Sequence, residues 1–194
     1  MGRREREPAE REMAGHPIGV VPYDLAWPAM FAHQAARLRN ALGAVALRID
    51  HIGSTAIAQL AAKPIIDVQI SVADFEPLAT YRGPLERLGY AFRADNPDRT
   101  KRYFREPLGQ RRTHIHVRRA GSFGEQVALL FRDFMRVHAD VAAEYADLKI
   151  KLAERYSGER TAYTDAKGPF IWSVIAQADA WAQRTGWMPG PSDA

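Results

Sequence analysis

The residues able to do chemistry are concentrated in a few short stretches. In residues 65–72, Ile66, Val68, Ile70 and Val72 alternate with Asp67, Gln69 and Ser71. Successive side chains on a strand point to opposite faces, so one face is wholly apolar and the other turns a carboxylate toward solvent or a cleft. Upstream stands Gly53-Ser54-Thr55. Glycine lets the backbone approach a ligand, successive N–H groups can form an anion-binding nest, and a hydroxyl adds a donor. Each stretch also has a plainer reading: an exposed polar strand face for the first, an N-capped turn for the second. Joined, they make a phosphate cradle beside a carboxylate, the arrangement a magnesium-nucleotide needs.

A third stretch alternates Thr113, Ile115 and Val117 with His114, His116 and Arg118. Two imidazoles on one strand face can converge on a metal and shift preference from Mg²⁺ toward Mn²⁺ or Zn²⁺. The alternative is a basic strand face with hydrogen-bonded histidines. Further along, Ile171, Val174, Ala178 and Trp181 form a helical apolar stripe, and counting back along it reaches Lys167. An inward lysine needs either an anion or a path to water. Lys63, before Pro64, meets a phosphate or sits at a sheet edge. Lys149, beside Leu148, is a weaker candidate of the same kind. His51 shares the register of Ile49 and reads as a core or rim histidine. Arg102, Arg105, Arg111 and Arg112, with the loop 94–101, can serve an acidic acceptor or remain a solvated surface. Aromatic residues are not interleaved with these arginines, so nucleic acid is a poor fit as a partner.

The elements that must position these residues follow from periodicity. A helix starts at Pro28, carries Met30, Phe31, Ala35, Leu38 and Leu42 inward, and stops at Gly43. Strands are expected at 45–50, 64–72, 90–93, 102–105 and 113–118, with a helix at 76–88. From Phe123 the period is helical: Val127, Leu130, Phe131 and Phe134, then Val141, Tyr145, Leu148 and Leu152, then the stripe ending at Trp181. The expected class is mixed α/β, with a mixed sheet flanked by helices and a helical C-terminal third. The 194 residues, 46% apolar and 26% charged, suit one domain over 16–185 between mobile tails at 1–15 and 186–194.

Cysteine is absent, which excludes disulfides, thiolate zinc sites, iron–sulfur clusters and cysteine nucleophiles. No apolar run approaches the roughly 20 residues of a membrane span, and the first residues lack a signal-peptide core. A cytoplasmic protein with no membrane partner is expected. A net charge of +4 and a pI near 9.5 lean toward nucleotides and other phosphates.

The string HIGSTAIAQLAAKPIIDVQI, with YDLAW before it and RTHIHV and YTDAKGPFIW after it, resembles the GrpB family from about residue 20 to 181. That resemblance implies the nucleotidyltransferase superfamily, whose pattern is Gly-Ser followed on the next strand by carboxylate, hydrophobe, carboxylate. It implies that Gly53 and Ser54, with Thr55, contact the triphosphate and that Asp67 holds a divalent metal, Mg²⁺ or Mn²⁺. It also implies that the strand bearing His114 and His116 lies beside Asp67, and that Lys167 and Tyr163 reach the phosphates or base from helices closing over the nucleotide. The catalytic pair would be Asp67 and Gln69, yet Gln69 is neutral where the pattern has a second carboxylate. One metal is then easier to justify than two. The implied activity is nucleotidyl transfer from a nucleoside triphosphate to an unknown acceptor. The alternative is a non-catalytic nucleotide-binding accessory module, linked by the family's fusions to dephospho-coenzyme A kinase. A third reading is a single-metal phosphohydrolase using the two histidines.

Overall fold

The computed structural model describes residues 18–107 and 109–194, so the expected tail at 1–15 lies outside the described residues. Helix α1, Trp27–Leu42, has Pro28 in its first turn and ends at Gly43, whose φ of 51° stops the helix. Its stripe of Trp27, Phe31, Ala35, Leu38 and Leu42 is buried, as the spacing predicts. Strands β1 (Arg48–Ile52), β2 (Ile66–Val72), β3 (Ala91–Phe92), β4 (Arg102–Arg105) and β5 (Thr113–Arg119) form, among the described residues, one mixed sheet ordered β1-β2-β5-β4-β3. Only the β2–β5 pair is parallel. Helix α2, Ala79–Arg87, joins α1 against one face of the sheet. There Ile49, Ile66, Val68, Ile70, Phe104, Ile115 and Val117 make the main core. The chain is therefore mixed α/β.

The opposite face differs from the expected open polar surface. Helix α3, Phe123–Val137, lies across it and buries Gln69 and Ser71 completely. The reason is a carboxylate at the start of α3. Glu125 accepts from the Ser71 hydroxyl, from the Gly121 amide at 2.6 Å and from Gln126 Nε2 at 2.9 Å, while Gln69 Nε2 donates to its carbonyl at 3.3 Å. Ser122 caps α3, so Ser122-x-x-Glu125 resembles a capping box whose glutamate is drawn into the sheet. Buried polar groups are tolerated because they are paired. Phe123, expected to lead the apolar stripe of this helix, is 71% exposed as its first residue.

Helices α4 (Ala139–Arg155), α5 (Arg160–Ala166) and α6 (Gly168–Thr185) complete the helical third. With α3 they enclose a second core of Ile57, Leu60, Leu130, Phe134, Met135, Ala142, Tyr145, Val174 and Ala178. Among the described residues, no helix is long and apolar enough to cross a membrane.

Residues 186–194, expected as a mobile tail, run beside the free edge of β1. Ser192 Oγ accepts from the Ile49 amide at 2.8 Å and donates to its carbonyl at 3.0 Å, and Asp193 Oδ2 accepts from the His51 amide at 2.8 Å. Asp193 also meets Arg132 at 2.9 Å. Arg132 is buried, contacts Asp133 at 2.7 Å and Asp50 at 3.7 Å, and donates to the His51 carbonyl at 3.1 Å. This charged layer joins α3, β1 and the tail. Arg132→Ala removes a buried charge shared by Asp50, Asp133 and Asp193 and leaves Asp50 to Arg48 alone; it is expected to cost about 3 kcal/mol in urea unfolding. Asp193→Ala, which removes a half-exposed partner, should cost about 1 kcal/mol.

Candidate metal and anion site

The parallel register of β2 and β5 pairs Asp67 with His114 and Gln69 with His116, so all four side chains share the α3 face. Helix α3 covers Gln69, whereas the Asp67 side chain stays partly exposed. Here His114 Nδ1 lies 3.3 Å and His116 Nε2 3.1 Å from Asp67 Oδ1. The three ligand atoms fall within 4.8 Å of one another. Two ligands each about 2.1 Å from one ion, at angles near 90–110°, are about 3.0–3.4 Å apart. The observed spacings suit a single divalent cation.

Electrostatics favour the same outcome. Burial pushes the Asp67 carboxyl up, but hydrogen bonds from His114 and His116 more than offset this and hold it well below the usual carboxylate range. Burial lowers His116, favouring the neutral imidazole that ligates metals. Its Nδ1 is shielded from solvent with no hydrogen-bond partner among the described residues.

The bend after β1 fits against this carboxylate. Gly53 has φ 71°, a left-handed conformation, and a Cβ built there would lie 2.6 Å from Asp67 Oδ2. Ser54–Ala56 form a short 3₁₀ turn. Ser54 is half-buried and within hydrogen-bonding reach of the Tyr145 hydroxyl. Thr55, expected to help bind phosphate, does not face the site. It is buried, donates to the Ile65 carbonyl at 3.0 Å and lies 3.0 Å from His51 Nε2, tying the bend to the start of β2. His51 is a core histidine as expected, stacked on Phe31 and lowered to about 4, mainly by burial.

Lysines gather on the helical side. Tyr163, buried, has Lys63 Nζ at 4.0 Å and Lys167 Nζ at 4.7 Å from its ring centre. Lys167 does face inward, but it is the residue between α5 and α6 rather than within a first turn. Burial, then repulsion from Lys167, lowers Lys63 to about 8. Burial also lowers Lys167, which Asp67 partly opposes. Lys149, over the Tyr145 ring at 4.6 Å, donates to the Ala61 carbonyl and is lowered to about 7 by burial and by Lys167.

Gln69, expected as half of the catalytic pair, is fully buried; its Nε2 donates to the Glu125 carbonyl, while its Oε1 is shielded from solvent with no hydrogen-bond partner among the described residues. Two residues escaped sequence reading. Arg160 recurs at helical spacing with the candidates Tyr163 and Lys167, a signal of one shared face, and Tyr145, read only as part of an apolar stripe, stands four residues before the candidate Lys149.

The chain matches the family model described as GrpB protein over residues 17–177. It belongs to the GrpB family. A UPF0157 protein of Pseudomonas aeruginosa is 40% identical over 165 residues, covering 83% of this chain and 67% of that protein. A protein of Mycolicibacterium paratuberculosis named dephospho-CoA kinase is 34% identical, with 92% of this chain matching 50% of that one. The chain thus spans only about half the length of some curated relatives. The crystal structure of conserved protein GrpB from Enterococcus faecalis superposes with a TM-score of 0.77 at 31% identity, over 84% of this chain and 99% of that one. A MgGTP-bound Cid1 poly(U) polymerase gives a TM-score of 0.51 at 13% identity, over 70% and 45% of the two chains. This GrpB chain therefore has a nucleotidyltransferase-like fold.

Gly53→Ala combines a left-handed backbone with a side-chain collision. It is expected to destabilise the chain by about 1–2 kcal/mol from the backbone alone and to push the Asp67 carboxylate off the bend. Unfolding curves and a crystal structure of the variant check both effects.

Proposed function

We propose that the chain binds a nucleoside triphosphate through one divalent cation held by Asp67, His114 and His116. The observation that carries this reading is the convergence of the Gly53-Ser54 bend, the Asp67 carboxylate and the Lys63–Tyr163–Lys167 cluster. A cation held there supplies Lewis acidity toward a phosphate oxygen, Mg²⁺ or Mn²⁺ serving with water ligands and Zn²⁺ favoured by the imidazoles. The backbone N–H groups after Gly53 and the Ser54 hydroxyl face the phosphates. Lys63 and Lys167 neutralise their charge, and Tyr163 keeps the two ammonium groups apart and in place.

The reaction this fits is nucleotidyl transfer: an acceptor oxygen bonds to the α-phosphorus, the bond to the β-phosphate bridge breaks, and pyrophosphate leaves. The buried Gln69 favours a second reading, a nucleotide-binding accessory module without turnover, because a two-metal site calls for a further carboxylate. Pyrophosphate release by the natural chain with Mn²⁺ supports the enzyme; tight binding without release supports the module.

Calorimetry of the natural chain should detect nucleoside triphosphate binding that requires Mg²⁺ or Mn²⁺. Asp67→Ala should abolish it without loss of the folded state, whereas undiminished binding removes Asp67 from the site. Replacing His114 or His116 by Ala should weaken metal affinity by roughly 10–100-fold. Binding should also move protons. Lys63 falls from 10.5 to about 8 in the free chain, and a phosphate beside it raises that value again. At pH 9 the lysine is largely neutral when free and charged when bound, so binding takes up a proton and weakens as pH rises through 8. Below pH 7 Lys63 contributes no uptake. Calorimetry in buffers of different ionisation enthalpy measures this directly.

A further inference from the structure

A second cationic cluster borders the triad; it shares Lys63 with the nucleotide reading, but its arginines have no part in that reading. A cleft of about 190 Å³ has apolar walls from Ile18, Pro64 and Ile65 and is also lined by Lys63, Arg112 and Arg160. Arg105 stands behind them on β4, in register with His114. Arg112 reaches the triad itself, its Nη2 lying 3.5 Å from His114 Nε2.

The charge in this cleft is not balanced. Glu106 is the carboxylate the arginines meet, 3.1 Å from Arg105 and 3.8 Å from Arg112, and the Thr113 amide also donates to it at 3.1 Å. Arg160 has no ion pair among the described residues. The Nε atoms of Arg105, Arg112 and Arg160 are all shielded from solvent with no hydrogen-bond partner among the described residues. Burial, then repulsion among the arginines, depresses both Arg112 and Arg160. Leaving a shielded donor unpaired is costly, and planar guanidinium forks match oxyanions.

We propose that Arg112 and Arg160, backed by Arg105 and bordered by Lys63 of the nucleotide site, form an anion subsite for the phosphate group of a small phosphorylated molecule that serves as acceptor beside the nucleotide. Three arginines with one carboxylate, Glu106, among them suit a phosphate dianion better than a carboxylate. The cleft is smaller than the roughly 300–1,000 Å³ of a whole-ligand pocket, so it suits a head group rather than a second nucleotide. Its apolar walls can pack against a short carbon chain. The acceptor role rests on the proposed nucleotide site; the anion binding does not.

The test uses inorganic phosphate as probe, titrated at fixed ionic strength into the full chain. It is done once without metal and once with a saturating non-hydrolysable nucleoside triphosphate and Mn²⁺. Phosphate should bind one-to-one in both conditions. Arg112→Gln and Arg160→Gln should each weaken it at least about tenfold, and Arg160→Gln, which is not in contact with the triad, should do so with nucleotide affinity changed less than about threefold. Melting temperatures check that the variants are folded, and Arg160→Lys, retaining charge without the fork, should give an intermediate loss. Phosphate binding unaffected by both arginine variants, or no phosphate binding at all, overturns the proposal. Displacement of phosphate by saturating nucleotide also overturns it, because the arginines then belong to the triphosphate cradle. Phosphate binding by a chain that fails to bind any nucleotide keeps the anion subsite and removes the nucleotide reading instead.

Discussion

The Asp67 carboxylate occupies its position because the residue beside it has no side chain. With Gly53 in a left-handed conformation, backbone and carboxylate meet at a separation that a single methyl group would fill. The bend is held there from three directions. Thr55 ties it to the first residues of β2, Arg136 donates to the Ala56 carbonyl at 3.0 Å, and Tyr145 reaches Ser54 from α4. Because the bend and β2 are fastened to each other, the distance between backbone donors and carboxylate is a property of the fold rather than of a flexible loop.

The polar face of the sheet is divided by a helix. Where α3 crosses, Glu125 and Arg132 pair with Ser71 and Asp50 and the Glu125 carbonyl accepts from the Gln69 amide, leaving Gln69 Oε1 without a hydrogen-bond partner among the described residues. At the start of β2, Asp67, His114 and His116 remain partly open, with lysines on one flank and arginines on another. A face that looks uniform along the strand thus serves stability at one end and ligand chemistry at the other.

Much of this was legible in the sequence. Alternation put Asp67 on the polar face of β2 and His114 with His116 on one face of β5, since a period of two is set by the pleat itself. The register that brings them side by side is a long-range pairing across 49 residues, and only the family resemblance implied it. What pattern reading misjudged was burial. A polar residue on a strand reads as exposed unless its buried partner is known, and Gln69 has its partner on a helix 56 residues away. Thr55 misled for the same reason: a hydroxyl beside a glycine suits a phosphate or a backbone carbonyl equally well. The last nine residues, rich in turn formers, carried no periodicity, yet Ser192 and Asp193 supply the hydrogen bonds that an edge strand lacks.

Electron paramagnetic resonance of Mn²⁺ added to the natural chain probes the central claim at the ion itself. Bound Mn²⁺ is predicted to show nitrogen couplings from His114 and His116, and a phosphorus coupling should appear when a nucleoside triphosphate is added. A spectrum of hydrated Mn²⁺ alone, without nitrogen or phosphorus coupling, would contradict the account.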